Sequence, residues 1–347
     1  MIDFLRAGGP VLRAGLLLPR PAAPWQVPQQ APATISVSVR EVVLAVTVTD
    51  DKGKFVRDLS QKDFRILDEG KPQKIVSFSH DPRQPTVIGF LVDASSQSVA
   101  HWATFQETIK PMIWGLLQDD RNYTGYLISY GNSAAKLVAN TTWDGDKLAS
   151  ELDRIKPSGG SALFDAVRLA CLDRELIPGE PLRPRRVLAV FGDGHDTASK
   201  QTLDQAIELA QRNFVTVYAI STSAYGFDDP GRGPLERLAT ETGGRVEYPL
   251  ANPYSGVPGH LSQPSDAGNY ALPVGSGAYA QKIAEAIGKA VTAVQGEVTM
   301  QYLLSYVPDI APETLHRDKR RINVEIPTLP TVKTQTRPYY YLSGQQR

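Results

Sequence analysis

The feature that most constrains this chain is a change in the spacing of its apolar residues, which switches near Pro82 and again near Val298. From Val87 onward the chain carries short unbroken apolar runs: Val87-Ile88-Gly89-Phe90-Leu91-Val92, Tyr126-Leu127-Ile128, Val187 to Phe191 and Val215 to Ile220. Runs of this kind suit strands buried on both faces, because a strand with one wet face has to alternate. Between them apolar residues recur at helical spacing. Trp102, Phe105, Ile109, Met112, Ile113 and Leu116 mark one helix, with Pro111 an expected kink. Leu163, Val167, Ala170 and Cys171 mark a second, in a run from Ala162 to Leu176, and Leu203 to Arg212 a third. Leu235 to Thr240 is a short helix stopped by Gly243-Gly244, before extended structure resumes at Val246 to Tyr248. Ile283, Ile287, Val291 and Val294 define one more helix. Strand–helix alternation of this kind predicts an α/β fold, a doubly wound, mainly parallel sheet covered on both faces.

The flanks read with a period of two. Val42, Leu44, Val46 and Val48 share one face of a strand, and Asp50 to Gly53 follow as a turn. Ser60 to Asp63 opens one helical turn. Two strands, Phe64 to Leu67 and Ile75 to Phe78, are joined through Asp68-Glu69-Gly70. Beyond Val298, Tyr302 to Tyr306, Ile322 to Ile326 and Tyr339 to Tyr341 return to strand signals, the last as an aromatic edge strand. Neither flank alone has enough strands for a stable sandwich. The expectation is therefore a β-sandwich-like module built from both termini, with the α/β part inserted in it. The boundaries expected are 1–34 for a degraded signal or disordered tail and 35–82 for the N-terminal β-module. Residues 83–297 form the α/β domain, and 298–347 are strands packing with that β-module. Residues 251–276, rich in Pro, Gly, Ser and Asn, form a long loop that is either functional or disordered.

Composition narrows the function classes. Among 347 residues, Lys+Arg and Asp+Glu both total 37, so no global charge draws the chain to nucleic acid or an anionic membrane. The single cysteine, Cys171, excludes an intrachain disulfide and a cysteine cluster for zinc, and reads as a buried core thiol. No segment has the ~20 consecutive apolar residues of a membrane-spanning helix. At the N-terminus Arg6, Leu16-Leu17-Leu18 and a proline-rich spacer from Pro21 read either as a degraded secretory signal or as a tail. The first implies export to the periplasm, cell surface or medium; the second leaves the protein in the cytoplasm.

Three loops carry chemistry. Asp93-Ala94-Ser95-Ser96-Gln97-Ser98 follows the first buried strand, and Ser158-Gly159-Gly160-Ser161 leads into a helix. Gly192-Asp193-Gly194-His195-Asp196 follows the strand ending at Phe191. In α/β sheets, ligand sites gather beyond the carboxyl ends of strands. Asp93 and Asp193 supply carboxylates, and Ser95 and Ser161 supply hydroxyls. Mg²⁺ asks for such a set: about six oxygens, usually one or two of them from carboxylates, with waters filling the rest.

These loops resemble the three metal-ion-dependent adhesion site loops of von Willebrand factor A domains. The family's first loop, Asp-x-Ser-x-Ser, matches at Asp93 and Ser95 but meets Gln97 at its last serine. Its second-loop threonine is matched by Ser161, and its third-loop aspartate, in an Asp-Gly pair, by Asp193. The flanks add to the likeness: Val56-Arg57-Asp58-Leu59-Ser60, Asp63 to Ile75, and Gln301-Tyr302-Leu303-Leu304-Ser305-Tyr306-Val307-Pro308 resemble the acidobacterial subgroup of A-domain-related proteins. Coverage is residues 35 to 342. The resemblance implies a divalent-metal-dependent adhesion or protein-binding module rather than an enzyme. Asp93, Ser95, Gln97, Ser161 and Asp193 would be ligands for Mg²⁺ or Mn²⁺, and an acidic side chain of a protein partner would complete the coordination.

Plainer readings stand beside these. Gln97 either ligates through its amide oxygen or crowds the ion, which leaves a metal-free scaffold or assembly protein with a vestigial site as the alternative. Asp165 reads as a first-turn carboxylate at the positive end of its helix, or as a support for the Ser95 loop. His195 reads as a solvated loop histidine. A hydrolase would need a water-activating base near the ion, and no Gly-x-Ser-x-Gly elbow or other motif nominates one. No Gly-x-Gly-x-x-Gly follows the first α/β strand and no Walker-type lysine loop is present, which disfavours nucleotide binding.

Overall fold

A computed structural model describes residues 41–81, 84–117, 122–172, 184–222, 230–249, 278–309 and 319–341. All of them belong to the second of the chain's two units, Val39–Arg347; the first, Met1–Ser38, lies outside them, as does the 251–276 loop.

The apolar runs form a six-stranded sheet. Its strands are β5 (Thr86–Val92), β6 (Tyr123–Ser129), β7 (Lys136–Thr142), β8 (Arg185–Gly192), β9 (Val215–Ser221) and β10 (Val246–Glu247), in the order β10-β9-β8-β5-β6-β7. All neighbours are parallel except the edge pair β6–β7. Every residue of β5 and β9 is buried, as expected of strands covered on both faces. The helices are α1 (Trp102–Leu117), α2 (Gly145–Asp153), α3 (Leu163–Leu172), α4 (Leu203–Arg212), α5 (Arg232–Glu241) and α6 (Ala278–Thr299). Ile109 and Ile113 of α1, Leu148 and Leu152 of α2 and Val294 and Val298 of α6 pack on Ile88 and Phe90. Val167 of α3, Ile207 of α4 and Leu238 of α5 cover the opposite face at Val87 and Leu91. Alternate residues of β5 thus feed two cores, and the sheet is doubly wound. Cys171 is buried in the second core.

In the α/β part, β7 and α2 escaped the sequence reading for physical reasons. β7 is a half-exposed edge strand whose burial neither alternates cleanly nor runs unbroken. α2 is a nine-residue helix held by the Asp144 side chain, which accepts the Lys147 N–H at 3.0 Å. α1 continues through Pro111 from residue 102 to 117.

Strands from both ends of the chain form a β-sandwich: β1 (Val42–Thr49), β2 (Arg65–Asp68), β3 (Lys71–Gln73), β4 (Ile75–Ser79), β11 (Tyr302–Tyr306), β12 (Lys319–Glu325), β13 (Lys333–Gln335) and β14 (Tyr339–Tyr341). One sheet runs β13-β1-β11-β4 and the other β14-β12-β2-β3. In both, a central antiparallel pair joins the two ends of the chain: Val42 opposes Tyr306 and Val46 opposes Tyr302, while Ile322 opposes Asp68 and Val324 opposes Ile66. Val42, Leu44, Val46 and Val48 are all buried in the core between the sheets.

The sandwich meets the α/β part where the parallel strands begin. The buried Arg337, between β13 and β14, donates to the carbonyls of Gln211 and Val43 and lies over the Phe214 ring at 4.9 Å. Arg185, which opens β8, donates to the carbonyl of Val298 near the end of α6. The carboxyl ends of β5 and β8 lie at the opposite edge. There the connections leaving β5 and β8 diverge, the point at which doubly wound sheets open a crevice.

Candidate metal centre

The first and third loops leave adjacent parallel strands, so Asp93 and Asp193 emerge side by side, the Asp93 N–H donating to the Phe191 carbonyl at 2.9 Å. Each aspartate closes the same local turn. Asp93 Oδ1 accepts the Ser95 N–H at 2.8 Å, and Asp193 Oδ1 accepts the His195 N–H at 2.9 Å. Ser161, on the second loop, donates its hydroxyl to the His195 carbonyl at 2.8 Å. A hydroxyl whose hydrogen is used this way turns its lone pairs elsewhere. Asp93, Ser95 and Ser161 are 4, 1 and 2 % exposed, while Asp193 is half-buried.

Main-chain bonds stitch the loops together. Ser96 N–H donates to Gly159 O and Ser158 N–H to Ala94 O, each at 2.9 Å, joining the first loop to the second. Thr197 and Ala198 both donate to Ser161 O at 2.9 Å, joining the third to the second. Gly159 sits at φ +63°, and a Cβ there would lie 2.7 Å from Asn132 Cα, so the loop needs glycine at that position.

Burial pushes the Asp93 carboxyl up to about 6; proximity to Asp193 adds to the rise, while the Ser95 amide and hydroxyl and His195 pull it down. The Ser95 hydroxyl lies close enough to be felt by that carboxyl, yet its buried oxygen completes no hydrogen bond. A buried polar atom without a partner costs about 1–3 kcal/mol, and a buried carboxylate costs more unless something neutralises it. A cation held here would meet both deficits. The donor set fits one: two carboxylates and two hydroxyls, all hard oxygens. Among the described residues, no three His, Cys, Asp or Glu side chains converge closely enough to hold a metal, so any ion here depends on the serine hydroxyls.

The structure thus brings Asp93, Ser95, Ser161 and Asp193 to one edge of the sheet. Gln97 is exposed, on a short 3₁₀ turn from Ser96 to His101. His195 departs from the solvated reading: its ring is half-buried, with Nδ1 2.9 Å from Asp193 Oδ2. Asp165 supports a different loop from the one proposed for it. Its carboxylate accepts the N–H groups of Lys200 and Gln201, each at 3.1 Å, so it holds the third loop and not Ser95. Asp196 returns the favour by accepting the Phe164 N–H at 2.8 Å in the first turn of α3. Tyr130, at the end of β6, was not singled out at all. Its buried hydroxyl donates to Phe191 O at 2.7 Å; burial, then the nearby Asp93, Asp193 and Asp196 carboxylates, raise its pKa well above the usual phenol value. A lone tyrosine after a strand carries no sequence signal for that position.

No family model matches the chain, and no curated protein matches it. Among solved structures it is similar to the VWA domain of SpRpn10, with 17% identity and a TM-score of 0.33 over 39% of this chain and 74% of that one. It is similar to a von Willebrand factor type A protein from Catenulispora acidiphila, with 14% identity and a TM-score of 0.40 over 74% of this chain and 51% of that one. It is also similar to proximal thread matrix protein 1 from the mussel byssus, described with a zinc-occupied MIDAS motif, with 18% identity and a TM-score of 0.38. That match covers 47% of this chain and 41% of that one, so the chain spans about half or less of the last two proteins. On its own strand order, the α/β part of the chain is a doubly wound, mainly parallel sheet with the three loops at its switch point, carried on a β-sandwich.

Proposed function

We propose that the protein is a binding module whose adhesion site holds Mg²⁺ or Mn²⁺ through Asp93, Ser95, Ser161 and Asp193, with Gln97 at its rim. The observation that carries this reading is the partnerless, buried Ser95 hydroxyl beside the buried Asp93 carboxyl, at the switch point of the sheet. Two carboxylates and two neutral hydroxyls fill only part of the roughly six-oxygen shell of such an ion, so a bound ion would offer an open, Lewis-acidic position to an acidic side chain of a protein partner. The module is a binder rather than an enzyme: the loops present ligands, and the imidazole of His195 is taken up with Asp193. Placement in the acidobacterial subgroup rests on the flanking strings alone, and export rests on N-terminal residues outside those described. No helix among the described residues is long and apolar enough to cross a membrane.

The test is thermal unfolding of chelator-treated protein with and without excess Mg²⁺ or Mn²⁺. A ligand at about 100 times its Kd stabilises the fold by roughly 2.7 kcal/mol, so the midpoint should rise in the wild type and stay put in Asp193→Ala. No shift in the wild type would favour a second reading, a metal-free scaffold. One observation already points that way: His195 engages both oxygens of Asp193, its N–H on Oδ1 and its ring on Oδ2.

A further inference from the structure

The segment Tyr130–Ser133 belongs to none of the three loops, yet it touches each of them. Toward the first loop, a Cβ on the buried Gly131 would lie 1.8 Å from Ala94 O. Toward the second, Ala162 N–H donates to Tyr130 O at 3.1 Å, Asn132 N–H to Ser158 O, and Ser133 N–H to Gly160 O at 2.9 Å. Gly160 N–H answers by donating to Ser133 Oγ at 3.0 Å. Toward the third, the Tyr130 hydroxyl bonds Phe191 O, and a Cβ on Gly192 would lie 2.2 Å from that hydroxyl oxygen. Phe191 O also accepts the Asp93 N–H, so the tyrosine hydroxyl and the backbone of a candidate ligand meet on one carbonyl.

Asn132 and Ser133 have φ of 52° and 59°, in the left-handed region. Such a conformation is unfavourable for a non-glycine residue, and persists only where the surroundings over-determine it. Two in succession mark a turn held by its neighbours.

We propose that Tyr130 and Gly131 are positioning residues of the cation site, members of a fourth segment that sets the spacing of the three ligand loops. Tyr130 acts through the carbonyl it shares with Asp93. Gly131 acts by letting the Ala94–Ser95 backbone close onto the segment. The inference rests on the cation reading above.

A merely architectural role would lower the stability of Tyr130→Phe and leave the affinity of the folded protein untouched. The experiment is calorimetric titration of Mn²⁺ into the chelator-treated full chain, as wild type, Tyr130→Phe and Gly131→Ala, with the thermal midpoint of each cation-free protein. Loss of one hydrogen bond should move the Tyr130→Phe midpoint by only ~2–4 °C. Its affinity for Mn²⁺ should fall by about tenfold or more, the range seen when groups that orient metal ligands are removed. Gly131→Ala should weaken binding further; should it fail to fold, Tyr130→Phe decides alone. Wild-type binding with unchanged affinity in Tyr130→Phe overturns this inference and spares the cation reading. No binding by the wild type overturns both.

Discussion

The Ser161 hydroxyl donates to the main-chain carbonyl of His195 across 2.8 Å, tying the loop that precedes α3 to the loop that follows β8. Because both partners are partly buried, the bond matters even without a cation. Ser161→Ala should destabilise the chelator-treated protein by about 1 kcal/mol in urea unfolding. Ser161→Thr keeps the hydroxyl and should lose less. Equal losses in the two variants would mean that the hydroxyl bond is not what the site depends on.

Asp196 accepts the Phe164 N–H in the first turn of α3, and Ser199 donates both its N–H and its hydroxyl to the same carboxylate. Asp196→Ala should therefore cost about 1 kcal/mol, as the loss of a helix cap does. Denaturant midpoints of wild type and variant check this. A neutral substitution would place the cap elsewhere.

In the sandwich, Asp68 is wholly buried between Arg320, whose Nε lies 2.9 Å from Oδ1, and the hydroxyls of Tyr306 and Tyr340, at 3.0 and 2.7 Å from Oδ2. Asp68→Ala would leave a buried guanidinium uncompensated, at a cost of about 3–5 kcal/mol. Because β2 brings Asp68 and β12 brings Arg320, the loss should uncouple the two ends of the chain, and limited proteolysis should then cut the sandwich first. Unaltered proteolysis would contradict the pairing's importance.

Glu297, near the end of α6, is buried; desolvation pushes its carboxyl up to about 7, Glu247 adds to the rise, and Arg245, at 2.7 Å, opposes it. Between about 4.5 and 7 the folded protein keeps a proton that the unfolded chain has released. Stability from this group is therefore highest at acid pH and is lost as pH rises through 7. Glu297→Gln, which can still accept from Arg245, should gain on the wild type as pH climbs from 5 to 8. The gain is at most roughly 3 kcal/mol at 1.36 kcal/mol per pH unit. Parallel stability–pH curves for the two proteins would show that Arg245 holds Glu297 ionised throughout.

The legible parts of the molecule were those written in local pattern. β5 and β9 announced themselves because burial on both faces demands unbroken apolar runs, and α4, with Thr202 and Gln205 capping its start, because one face repeats every turn. Asp93, Ser95, Ser161 and Asp193 were found as loop residues at strand ends, and the sheet does set them at one edge. What escaped depends on neighbours distant in sequence. β7 is an antiparallel edge strand, β13 a three-residue pairing with β1, and Tyr130 gains its role only because its hydroxyl, past the end of β6, reaches across β5 to the Phe191 carbonyl of β8. The same holds for Asp165 and Asp196, whose exchanged hydrogen bonds join α3 to the third loop across some 30 residues.

The central claim is that this edge of the sheet holds a divalent cation, and counting bound Mn²⁺ by electron paramagnetic resonance tests it most directly. The signal of free aqueous Mn²⁺ should fall as chelator-treated wild-type protein is added, with one ion lost per chain at saturation. Asp93→Ala should leave the signal at its free height. A wild-type protein that leaves the signal untouched, or an Asp93→Ala variant that quenches it equally, would contradict the account.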